Sequence, residues 1–92
     1  MANEENVNLQ RLKIDIGILN STVYDERLKS LLAVAQQEIE KEGIVLDLQT
    51  ESDNELIIDY ATWLWLNRRE PTSFPRSLRW RMNNRLFGGN PT

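Results

Sequence analysis

Four arginines fall within ten residues, Arg76, Arg79, Arg81 and Arg85, and the chemistry they offer is anion recognition. A guanidinium fork binds a nucleic-acid phosphate or a carboxylate in two-pronged fashion. At about 100° per residue on a helix, Arg76 and Arg79 lie on one flank, with Arg81 and Arg85 roughly opposite. A single basic stripe would suit a helix lying in a DNA groove. Two opposed stripes suit a helix held between surfaces, its own acidic domain and a neighbour. For each arginine the plain alternative is surface solubility, with dipole compensation for the last pair. Trp80 and Phe87, seven apart, add an aromatic strip outside the apolar stripe of the same segment. That strip is either a core contact with residues 44–51 or an interface anchor, since Trp and Arg are favoured at hot spots.

Little other chemistry is available. The chain has no histidine and no cysteine, which removes imidazole catalysis, thiolate metal sites and disulfides. Asp59 is the one acid inside an apolar run, and a solvated carboxylate is its expected role. No convergent acid–base pair stands out. The expectation is a protein without catalytic, cofactor-binding or metal-binding residues, and not an enzyme.

Charge is sharply divided. Residues 1–65 hold thirteen acids and five bases, whereas residues 66–92 hold six arginines and Glu70 alone. Such asymmetry points to a nucleic-acid patch, to one subunit's basic end meeting another's acidic body, or to an internal match of the two halves. The acidic start MANEENVN does not read as a secretory leader, so a cytosolic product is expected. Residues 56–66 would reach only about 17 Å as a helix, too short for a hydrocarbon core of roughly 30 Å.

The elements that would position these groups are helical. With 92 residues, four glycines and three prolines, the chain suits one small all-α domain. About four helices are expected, near 7–16, 23–42, 53–69 and 75–87, with an irregular connection at 44–51 and loose ends at 1–6 and 88–92. The first segment is ambiguous: Leu9, Leu12 and Ile16 fit a helix face, while Ile14, Ile16 and Ile18 alternate as in a strand. Thr22 with Asp25 reads as the N-terminal cap of the second helix, and Gly43 as its stop. Ser52 to Glu55 reads as the capping box of the third. That third helix, LIIDYATWLWL over 56–66, is apolar almost all round, with a wet strip of Glu55, Asp59 and Thr62. A domain this small is expected to need a second subunit to cover it.

These segments together resemble the head–tail connector family of long-tailed bacteriophages, also called DNA-packaging or head-completion adaptors. The resemblance rests on LKIDIGI (12–18), YDERLKSLLAVAQQEIEKEGI (24–44), DYATWLWLNRRE (59–70) and FPRSLRWRMNNRLF (74–87), in the family's order. It implies a helical subunit assembling into a ring of about twelve copies at the virion head–tail junction, after synthesis in the bacterial cytoplasm. Its implied partners are further copies of itself, the portal protein, a tail-side head-completion protein, and packaged DNA passing through without sequence reading. No membrane is implied.

The family has no sharp contact motif, so site residues come from the residues themselves. Trp63, Trp65, Trp80, Phe87, Arg81 and Arg85 are the expected interface with a subunit or partner, the two arginines meeting the acidic second helix of a neighbour. Arg76 and Arg79 are expected to face a DNA channel or an acidic partner. The rival reading is a small DNA-binding regulator or packaging-recognition protein whose last helix reads the duplex. The acidic pI near 4.9 counts against it.

Overall fold

Four α-helices account for the fold: α1 (Asn3–Ile16), α2 (Asp25–Lys41), α3 (Glu51–Asn67) and α4 (Arg76–Gly88). The computed structural model describes residues 3–88, with side chains from Val7 onward. No strand occurs among the described residues, and the chain is a small all-α bundle, as its composition implies. No helix among them is long and apolar enough to cross a membrane.

The ambiguous first segment is helix. It begins at Asn3, earlier than the start expected near residue 7, while residues 1, 2 and 89–92, most of the ends expected to be loose, lie outside the described residues. α1 ends at Gly17, whose φ of 80° is a conformation that only glycine adopts cheaply. Gly43 ends α2 in the same way, with φ 98°.

Two caps differ from expectation. Thr22 does not cap α2: the N-cap is Tyr24, without a side-chain bond. Asp25 pairs instead with buried Lys13 on α1, Nζ to Oδ1 2.9 Å, and the Tyr24 ring stacks edge-on against Trp65. Tertiary partners therefore draw away the groups that a capping box would use. On α3 the cap is Thr50, whose hydroxyl accepts from the Asp53 N–H at 3.4 Å. The box expected at Ser52 is not formed: α3 begins at Glu51, which puts Ser52 inside the helix, and the Glu55 carboxylate pairs with Arg11 of α1 at 3.0 Å.

The core is one cluster. Leu9 and Leu12 of α1, Leu28, Leu31, Leu32, Ala35 and Ile39 of α2, and Leu78 and Met82 of α4 close around Leu56, Ile57, Ile58, Tyr60 and Ala61 of α3. Helices α1, α2 and α4 all pack on α3. Most of the cover that α3 was expected to take from a second subunit comes from its own chain. The wet strip of α3 is narrow, and three helices from the same chain cover most of the rest, leaving Trp63 and Leu64 half-buried and Leu66 exposed. Residues 44–50 complete the wall: Ile44 is buried, and Leu46 and Leu48 pack on the core from an irregular segment.

Candidate subunit interface on the last helix

α4 presents a buried stripe of Leu78 and Met82, with half-buried Leu86 beside it. Arginines flank that stripe on both sides, and each flanking arginine reaches a carboxylate of the same chain. Arg79 donates to Glu42 at 2.6 Å and lies over the Phe74 ring, 4.8 Å from its centroid. Its bond to Glu42 holds the guanidinium above its ordinary pKa. Arg81 pairs with Asp59, the acid expected to be merely solvated.

Arg85 makes the most enclosed pair. Asp53 is fully buried, and its two carboxylate oxygens accept from Arg85 Nε at 2.9 Å and Nη2 at 3.1 Å. Asp53 also accepts from the Asp47 N–H at 2.7 Å, and Arg85 donates to the Val45 carbonyl at 2.7 Å. One ion pair thus ties the start of α3, the 44–50 segment and the end of α4 together. This two-pronged bond raises the Arg85 pKa above its ordinary value. Beside it, the Asn54 amide donates to the Leu48 and Thr50 carbonyls, both at 2.8 Å, and accepts from Asn8 at 2.9 Å. Every capacity of that buried amide is used, apart from one lone pair.

Asp53 and Asn54 went unread as structural hubs in the sequence. A usable signal was present, because Asp53 lies on the same helical face as Leu56, Ile57 and Tyr60. A carboxylate on a buried stripe requires a cation or several N–H donors.

The expectation that Arg81 and Arg85 meet a neighbour's acidic helix is corrected by this geometry. Both are engaged within the subunit, Arg81 with Asp59 and Arg85 with Asp53. Three of the six arginines in the basic end thus meet acids of the body within the chain. Arg76 differs, being exposed and making no ion pair or side-chain hydrogen bond among the described residues.

The three tryptophans separate. Trp65 is 7% exposed, stacked against Tyr24 at 5.3 Å and covered by Arg68, whose guanidinium sits 3.6 Å over the ring. The same arginine donates to the Trp65 carbonyl at 2.6 Å, satisfying an open carbonyl at the helix end. Trp65 belongs to the core, not to an exposed interface. Trp63 is half-buried in an edge-on cluster with Tyr60 and Phe74, at 5.8 and 5.0 Å, with its indole N–H enclosed and unpaired. Trp80 is 66% exposed and Phe87 82%.

Trp80, Phe87 and Arg76 share one side of α4 with exposed Asn83 and Asn84. This side points away from the core, since the Leu78 stripe occupies the opposite one. A Trp and a Phe bury 150–250 Å² each when covered, so the face bares roughly 300 Å² of aromatic surface. A patch of that size matches the largest that an ordinary monomer exposes, and such patches are often functional. Its chemistry is that of a hot spot: aromatic anchors with one unpaired guanidinium. No group of three or more acidic side chains able to hold a metal ion gathers among the described residues.

Comparison with protein-family models, with curated proteins and with solved structures found no significant match.

Proposed function

We propose that the protein is a structural subunit of a phage virion, an adaptor that assembles into a ring at the head–tail junction. In this role it joins the portal to the tail and helps retain or channel packaged DNA. The observation that carries the assembly reading is the outward face of α4, where Trp80 and Phe87 stand bare beside Arg76, which makes no ion pair among the described residues. The phage assignment rests on the resemblance of the four segments to head–tail connectors. The reading of α4 as a duplex-binding helix is disfavoured, because Arg79, Arg81 and Arg85 are neutralised by carboxylates of the same chain. A helix reading DNA needs unpaired cations for phosphate.

The test is the mass of the purified protein in solution, by light scattering and negative-stain microscopy. Rings or higher oligomers are expected for the natural sequence, and smaller species for Trp80→Ala combined with Phe87→Ala. Particles unchanged in the double variant would refute the α4 face as the contact. Tight, salt-sensitive duplex binding by a monomer would favour the DNA-binding alternative.

A further inference from the structure

The face on α4 is not the only bare apolar surface. Ile14 (58% exposed), Leu19 (45%) and Val23 (81%) lie around the turn joining α1 to α2. Ile14 and Leu19 line one shallow hollow, together with Ser21, whose hydroxyl accepts from the Val23 N–H at 3.3 Å. Tyr24, edge-on to Trp65 and still exposed, follows Val23 in the chain.

The two patches sit at opposite ends of α2, a helix of 17 residues and thus about 25 Å long. The turn leads into its first residue. α4 lies by its other end, where Arg79 reaches Glu42 and Leu86 approaches Gly43.

The two patches carry different exposed charges: a cation on the α4 face, and on the turn an acid beside Ile14, with Arg27 following in the first turn of α2. The α4 face carries unpaired Arg76. Beside Ile14, exposed Asp15 likewise makes no ion pair among the described residues. A two-fold contact of α4 with α4 would bring like-charged faces together and leave the turn uncovered. A head-to-tail contact covers both patches at once and pairs opposite charges. It also repeats from copy to copy, closing a ring if the rotation per subunit allows.

We infer that the α4 face bearing Arg76, Trp80 and Phe87 seats on the α1–α2 turn of a second copy of this chain, around Ile14, Leu19 and Val23, with Arg76 facing that copy's Asp15. This contact rests on the self-assembly reading above and supplies its receiving surface.

The test uses two variants of the full chain, Trp80→Glu and Val23→Asp. Both sites are exposed, and unchanged circular dichroism would show that each variant folds. Each alone is expected to be monomeric, with its association weakened roughly thirtyfold or more, as for loss of a hot spot. Mixed in equal amounts, they are expected to form dimers and nothing larger, because one intact face and one intact turn remain per pair. In a second arm, Arg76→Asp and Asp15→Arg each weaken assembly, and the two combined in one chain restore it. Val23→Asp that assembles like the natural sequence would overturn the turn as receiver while leaving self-assembly standing. A natural chain that stays monomeric at millimolar concentration would overturn the self-assembly reading itself, and this inference with it. Failure of the charge swap to restore assembly would overturn the Arg76 to Asp15 register.

Discussion

α3 and α4 both carry tryptophan and both have arginines close by, yet they dispose of these residues in opposite ways. α3 is apolar nearly all round, and three helices of its own chain cover it, down to Trp65 under the Arg68 guanidinium. α4 has a thinner apolar stripe, bordered by Arg79 on one side and by Arg81 and Arg85 on the other. Those arginines are held inward by Glu42, Asp59 and Asp53, so residues 80 and 87 can only point outward. Total apolar content therefore does not reveal where a helix lacks cover. The angular position of each residue, relative to partners that hold the helix in one rotation, decides it.

The sharpest way to break this comparison is to truncate one tryptophan from each helix. Trp65→Ala should cost about 3–5 kcal/mol of folding stability, the usual range for a buried large aromatic. Trp80→Ala should stay within about 0.5 kcal/mol while impairing assembly. Urea denaturation of both variants at low protein concentration separates the two effects, and equal losses would contradict the contrast.

The arginines allow a parallel test. Arg85→Ala leaves Asp53 buried without its cation and should cost about 3–5 kcal/mol, whereas Arg76→Ala should leave the melting temperature unchanged. If calorimetry shows Arg85→Ala to be as mild as Arg76→Ala, the Asp53–Arg85 pair does not hold α4 in place.

A smaller effect is expected at Gly43. Its φ is positive, and a Cβ added there would lie 3.3 Å from a Leu86 methyl. Gly43→Ala should therefore cost about 1–2 kcal/mol. Gly88→Ala, with open space around it, serves as the control in the same thermal melts.

The smallest effect concerns pH. Burial, reinforced by the negative charges of Glu38 and Glu42 and opposed by Arg79, raises the Tyr60 pKa above its ordinary 10.0. The folded state then holds the phenol proton more tightly than the unfolded state does. The stability this provides is present below pH 10 and is lost as pH rises through the folded value. Tyr60→Phe should flatten that alkaline decline, measured as the midpoint of urea unfolding against pH.

Much of the fold was legible beforehand because helix periodicity and glycine stops are local. The Leu28, Leu31, Leu32, Ala35 and Ile39 stripe, the end of α2 at Gly43 and the wet strip of α3 all follow from residues within a few turns of one another. The caps of α2 and α3 depart from the local pattern where a long-range partner claims the capping acid: Lys13 for Asp25, and Arg11 for Glu55. Likewise Trp80 and Phe87 could be placed together on one strip by spacing alone, but not assigned to water or core.

By itself, then, the amino-acid order determined that this chain makes four helices, which residues share a side of each, and that its charge is split between body and end. Only the tertiary structure decided that half of the basic end's arginines are matched from within, that most of α3 is sheltered by its own chain, and that α4 turns its aromatics outward. The reason is one of range. Backbone preference and periodicity act over a turn or two, whereas ion pairs such as Arg11 with Glu55 and Arg85 with Asp53 join residues that only the packed fold brings within reach.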